Sequence, residues 1–255
     1  MKILRLKELG AIVGVGVFFV LFMFISERFL SIENLASTFT MASELGIVAI
    51  GITMLMISGE FDLSVGSTYA VVPMIMAIMM NHGVPSSKIL KFFGGRLAGD
   101  LRYSGAWFIV LAIIFGLILE RTTYGNWVFA TGGNPGAAKA LGIPTERVKL
   151  VNFVMSGLLA GIAGITTFGR FKIIDPTLGQ GMELEAIASA VIGGSLLTGG
   201  YGSILGTFIG AFMIGMVRSG LVLAGAPAYW YRAFIGVILV IAAIINARIR
   251  KKVAG

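Results

Sequence analysis

Asp, Glu, Lys and Arg are missing from long stretches of the chain: 9–26, 45–59, 63–87, 103–119, 150–169, 186–217 and 233–247. A helix crossing a bilayer core needs roughly 20 apolar residues, with about 17 as the lower bound. Several of these stretches reach that length alone, and the two shortest are completed by polar but uncharged flanks. The stretch 186–217 is too long for one helix. Gly199-Gly200-Tyr201-Gly202-Ser203 breaks it, because glycine pairs punctuate helices. The pattern predicts an all-α, polytopic transmembrane helical bundle with about eight spans, near 9–26, 40–58, 64–80, 104–119, 150–168, 184–198, 203–217 and 231–247.

An even number of crossings puts both ends of the chain on one side. Lys2, Arg5 and Lys7 precede the first span, and Arg248, Arg250, Lys251 and Lys252 follow the last. The loop 120–150 falls on the same side with Arg121, Lys139, Arg147 and Lys149. Basic residues concentrate in cytoplasmic loops, so both termini are expected in the cytoplasm. The exceptions cluster in 81–103, a polar segment with Lys88, Lys91, Arg96 and Arg102 that this topology places outside. Met1–Leu9 followed by an apolar run has the layout of a signal peptide or signal-anchor. No small-residue cleavage pattern follows, so the run is expected to remain as the first span.

Composition narrows the function classes. Hydrophobic residues make up 57% of the chain and charged residues 13%, against about 25% charged in soluble domains. The net charge of +8 sits between apolar runs and at the chain ends, where anionic lipid explains it without nucleic acid. No cysteine is present, which excludes disulfides, thiolate nucleophiles and cysteine metal sites. The single histidine, His82, lies in a polar turn and cannot by itself make a metal site. Without a nucleophile–base pair or an H-E-x-x-H motif, a membrane-embedded enzyme is disfavoured. A phosphate loop of the G-x-x-x-x-G-K-[ST] type is also absent, so the chain has no cofactor of its own and no ATP-driven motor of that kind.

Residues 131–144 spell out a short helix with both ends marked. Asn134 suits the N-cap and Pro135 the first helical position. Ala137, Ala138, Ala140 and Leu141 propagate, Gly142 suits a left-handed C-terminal cap, and Pro144 prevents continuation. So short a helix is unstable alone. It either plugs its own spans or docks a cytoplasmic partner.

Four stretches taken in order give the chain a resemblance. They are Ile57-Ser58-Gly59-Glu60-Phe61-Asp62-Leu63-Ser64-Val65-Gly66-Ser67, then Tyr124-Gly125-Asn126 through Gly142-Ile143, then Ser156-Gly157-Leu158-Leu159-Ala160-Gly161-Ile162-Ala163-Gly164, and finally Gly181-Met182-Glu183-Leu184-Glu185 through Gly193-Gly194 to Ser203. The chain resembles the permease subunits of bacterial ATP-binding-cassette importers for simple sugars. The resemblance implies a coupling helix at 134–142 seated in a cleft of a cytoplasmic ATP-binding subunit. Gly133, Asn134, Ala137, Ala138, Lys139, Ala140, Gly142 and Ile143 carry that match. It further implies ATP and Mg on the ATPase subunit, an extracytoplasmic sugar-binding protein, a second permease subunit, and residence in the bacterial inner membrane. One departure stands out. Family members have two more apolar segments before the counterpart of Gly94-Gly95-Arg96-Leu97-Ala98-Gly99-Asp100, where this chain has only a short polar stretch from Asn81.

Three polar residues are candidates for a substrate pathway. Glu44 falls in or near the second span, and an intramembrane acid is a functional candidate by default. Asp62 and Ser64 lie between two apolar runs, either as an interfacial turn capping the next helix or as a break in a helix near the pathway. Glu183 and Glu185 suit a helix N-terminus. Gly202, Gly206 and Gly210, and the pair Gly157 and Gly161, are spaced by four and predict close helix packing. A weak internal echo links Ile57-Ser58-Gly59 through Gly66-Ser67 with Leu197-Thr198-Gly199 through Gly202-Ser203. The leading expectation is a passive translocation subunit. The competing one is an ion-coupled secondary transporter using Glu44 and Asp62.

Overall fold

The computed structural model describes residues 9–175 and 177–254. Lys2, Arg5 and Lys7, used above for orientation, lie outside the described residues, as do the side chains of Arg248, Arg250, Lys251 and Lys252. The chain folds as α1 (Leu9–Ile25), a 3-10 turn (Glu27–Leu30), α2 (Ile32–Ile57), α3 (Val65–Asn81), α4 (Ser87–Gly94), β1 (Arg96–Ala98), β2 (Leu101–Arg102), α5 (Tyr103–Arg121), α6 (Thr123–Gly133), α7 (Pro135–Ala140), α8 (Thr145–Phe171), α9 (Met182–Ile192), α10 (Ile204–Leu223) and α11 (Ala228–Ala254).

The core is centred on a single helix. Every residue of α2 from Ala42 to Ile57 is buried, as expected of a helix that is apolar all round. Antiparallel α8 packs on one side, with Asn152 Nδ2 donating to the Met54 carbonyl at 3.1 Å. Antiparallel α10 packs on another, with the Thr53 and Thr207 hydroxyls 2.7 Å apart. The outer helices expose large apolar side chains, among them Phe24, Ile113, Leu117, Leu158 and Val237. In water this surface would be costly; facing lipid it is expected.

Among the described residues, four helices are long and apolar enough to cross a membrane: Ile32–Ile57, Tyr103–Arg121, Thr145–Phe171 and Ile204–Leu223. Shorter apolar segments run over Gly10–Ile25, Val65–Asn81 and Tyr229–Ile241. The crossing expected at 184–198 is only partly helical. Its helix is α9, 11 residues long, or ~16 Å at 1.5 Å per residue, which by itself is too short to cross. Gly194, at φ +92°, ends it several residues before the expected glycine break. Ser195 N donates to the Ala190 carbonyl and Gly194 N to the Val191 carbonyl, each at 2.9 Å, and this closing pattern needs the left-handed conformation glycine permits. The chain then runs on without helix to Ser203, whose hydroxyl caps α10 at Gly206 N.

The all-α expectation is modified by one antiparallel hairpin, β1–β2. With α4 it makes up most of the polar segment 81–103. Its Arg102 donates to the Gly94 carbonyl at 3.1 Å, and Trp107 Nε1 of α5 donates to the Phe92 carbonyl at 3.1 Å. This cap packs on the Phe171 end of α8, opposite the end that carries α7.

Glycine contacts account for the tightest helix approaches. A Cβ on Gly206 would run into the Gly193 carbonyl, and one on Gly210 into the Ser189 carbonyl. Gly161 lies against Val72, and Gly202 against Ile57 and Ser195. Gly157 is corrected as an internal packing residue, since a Cβ there meets nothing within 4 Å. The two echoing glycine turns touch: Gly200 N donates to the Ile57 carbonyl at 2.8 Å, beside Gly59 and Gly132.

Candidate functional site

The helix α7 forms as its residues dictate. Asn134 Oδ1 accepts from Ala137 N at 3.0 Å, and Pro135 occupies the first position. At the other end Gly142 has φ +81°. Ile143 N donates to the Ala138 carbonyl and Gly142 N to the Lys139 carbonyl, each at 3.0 Å. Gly133, Asn134, Ala137, Lys139, Ala140 and Gly142 are exposed, Ile143 is half-buried, and Ala138 is buried. Lys139 pairs with Glu146 at 2.7 Å, with both side chains exposed, so the pair contributes little. Leu141, absent from the expected contact set, is 82% exposed. Replacing Asn134 by alanine is expected to cost ~1 kcal/mol of local stability. The check is faster amide exchange at Ala137 and Ala138, with the transmembrane helices unaffected.

Asp62 is buried in the loop between α2 and α3. Its Oδ1 accepts from Ser64 N at 2.8 Å and from the Ser64 hydroxyl at 2.6 Å. Its Oδ2 accepts from the Ser156 hydroxyl of α8 at 3.0 Å. The carboxylate therefore pins the loop to α8 and does not reach the interior amides of α3. Glu60, next to it, pairs with Lys149 of α8.

Glu44 leads to the site. It is 5% exposed, and its Oε2 lies 3.0 Å from Arg170 Nη2 of α8. Both residues line a cavity of about 440 Å³, within the size range of small-molecule pockets. Across it Glu185 of α9 faces Arg218 of α10 at 3.7 Å. Arg232 of α11 and Asp175 of the loop before α9 complete the charged lining, and Tyr69, Thr167, Phe171 and Gln180 add aromatic and polar surface. The hydroxyl and amide of Thr177 both donate to Asp175 and hold its carboxyl below the usual carboxylate range. A second cavity of about 310 Å³, lined by Glu33, Ser37, Asp100 and Arg102, shares Arg170 and Phe171 with the first.

Of the three pathway residues expected from the sequence, only Glu44 lines this cavity; Asp62 and Ser64 do not. The arginines were missed. Arg170 and Arg218 directly follow charge-free stretches and look like span flanks, yet both lie within long helices. The signal available was Glu44 itself, because a buried acid demands a cation at the same depth.

A short capped helix at one end of an apolar bundle and a charged cavity within it suit a membrane transport component. The chain belongs to the family described as branched-chain amino acid transport system / permease component, whose model matches residues 85–243. It is 28% identical over 299 aligned positions to the "Probable ABC transporter permease protein YphD" of Escherichia coli K12, covering 95% of this chain and 90% of that one. It is also 28% identical to the autoinducer 2 import system permease protein LsrC of Photorhabdus luminescens, covering 96% of this chain and 91% of that one. For LsrC of Salmonella typhi the identity is 29%, covering 96% and 86%. These alignments, 299 and 300 positions long, exceed the 255 residues of this chain, which therefore carries gaps relative to the relatives. No solved structure gives a match.

Proposed function

We propose that the chain is the translocation subunit of an ATP-driven importer of simple sugars in the bacterial inner membrane. A separate cytoplasmic ATPase subunit, carrying the ATP and Mg, docks on α7. The observation that carries this reading is α7 itself: a helix capped at both ends, with Leu141 standing out from the surface. An apolar knob on an otherwise small, flat face suits insertion into a partner's cleft. The permease names of the relatives support import as the direction of transport. With α7 in the cytoplasm, α1 enters the membrane from the cytoplasm and α11 returns toward it. The α4–hairpin cap then faces outward, where an extracytoplasmic sugar-binding protein docks. A second permease subunit completes the pathway. Glu44 is paired with Arg170 and Asp62 is bonded to Ser64 and Ser156, which favours the ATP-driven reading over ion coupling through either.

Co-purification of the full chain with an ATPase subunit, identified by mass spectrometry, tests the reading directly. Ala137→Glu places a charge on the exposed face of α7 without disturbing the buried Ala138. ATP hydrolysis is expected to continue in the complex while uptake falls at least tenfold. Normal uptake by Ala137→Glu would remove α7 as the docking element.

A further inference from the structure

The polar segment 81–103 carries a helix with three different sides. At about 100° per residue, Leu90 and Gly94 of α4 turn to the bundle, where Leu90 is buried and Gly94 lies against Thr166 and Gly169 of α8. Ile89 and Phe92 occupy one flank and are 47% and 52% exposed. Lys88 and Lys91 occupy the other flank and are exposed too. An aromatic cluster sets the depth of this helix. Phe92 and Phe93 pack on Trp107, with ring centroids 4.9 Å and 5.5 Å away. Trp107 lies one turn inside α5, which is long and apolar enough to cross a membrane, and tryptophan favours the membrane–water boundary. α4 therefore lies along that boundary, with its apolar flank toward acyl chains and its lysines toward headgroups.

The charge at this level is uncompensated. Residues 81–103 hold Lys88, Lys91, Arg96 and Arg102 against one acid, Asp100. None of the four cations makes an ion pair among the described residues. Arg96 and Arg102 stand directly opposite each other in the hairpin, an unfavourable placement for like charges. Arg102 is half-buried and lines the second cavity with Glu33 and Asp100. Lys88, Lys91 and Arg96 are exposed, and cations at a bilayer surface attract anionic headgroups.

We propose that α4 and the hairpin form an interfacial site that selects anionic phospholipid. Lys88, Lys91 and Arg96 hold headgroups of net negative charge, and Ile89 and Phe92 lie on the acyl chains. The site needs neither an ATPase nor a transported solute, so it stands or falls apart from the transport reading.

The chain has three tryptophans, Trp107, Trp127 and Trp230, so Trp127→Phe with Trp230→Phe leaves Trp107 as the only one. This full chain is placed in nanodiscs of phosphatidylcholine and phosphatidylglycerol, with bromine on the acyl chains of one lipid or the other. Brominated phosphatidylglycerol is expected to quench Trp107 about threefold more than brominated phosphatidylcholine at equal mole fraction. Lys88→Gln, Lys91→Gln and Arg96→Gln together should abolish the preference, and the charge-conserving set Lys88→Arg, Lys91→Arg and Arg96→Lys should keep it. Equal quenching in the parent chain, or a preference that survives the glutamines, overturns the selectivity. The chain contains no cysteine, so Ile89→Cys and Lys88→Cys each create a single thiol for a spin label. The label at 89 is expected to meet oxygen from the lipid phase and the one at 88 a water-soluble nickel chelate. Chelate access at both positions, with no lipid preference, assigns this face to a protein partner in water and overturns the proposal.

Discussion

Replacing Gly206 by leucine is expected to destabilise the bundle more than any other single change at the expected packing glycines. The obstacle is backbone: a Cβ at Gly206 would collide with the Gly193 carbonyl oxygen and crowd Gly193 C at 2.9 Å. A main-chain carbonyl cannot rotate aside as a side chain can. Overpacking a core usually costs about 1–3 kcal/mol. Here α9 and α10 must separate, which also exposes the Gly194 turn, so ~4 kcal/mol or more is expected. The melting temperature of the full chain in detergent should fall on the order of 10 °C. Gly157→Leu is the internal control. A side chain there enters open space, and the melting temperature should stay within about 2 °C. Equal losses for both variants would show that spacing by four, and not contact, is what matters.

Breaking the Glu44–Arg170 pair from one side is the second large effect. Their side chains are only 7% and 15% exposed. Removing one partner of a buried pair leaves an uncompensated charge and costs ~3–5 kcal/mol, whereas replacing both partners with apolar residues can be nearly neutral. Glu44→Met should therefore lower stability strongly, and Glu44→Met combined with Arg170→Met should recover at least half of the loss. Thermal unfolding of the three chains side by side reads this out. A double variant no more stable than Glu44→Met would mean that the pair is not what holds α2 to α8 at this depth.

The glycine repeat shows how much of such effects was legible. Gly206 and Gly210 announce close approach through their spacing, and the structure places them against α9. Gly157 carries the same spacing and touches nothing, because spacing defines a stripe along one helix and not what lies across from it. The capped helix α7 was readable almost residue by residue. Its signals are local: Asn134 bonds an amide three residues on, and Gly142 takes a backbone conformation its own chemistry allows. Leu141 was read as a helix former; that its side chain projects into open space depends on which face α7 turns to the bundle.

The glycine break after α9 lies between these cases. A break within 186–217 follows from length alone, since no single helix of that extent fits a bilayer. The structure puts it at the left-handed Gly194 and not at Gly199–Gly200, where Gly193 lies against Gly206 of α10.

The amino-acid sequence alone determined that this chain lives in a bilayer, roughly where its apolar helices run, and how its small loop helix is capped. Each of these depends on residues within a few turns of one another and on the cost of leaving charge in lipid. Only the tertiary structure decided which arginine meets which acid. Those partners come from helices distant along the chain, and they must share a depth and a facing direction before their charges can neutralise each other. The cavity follows from that meeting, because no single helix encodes a space enclosed by several.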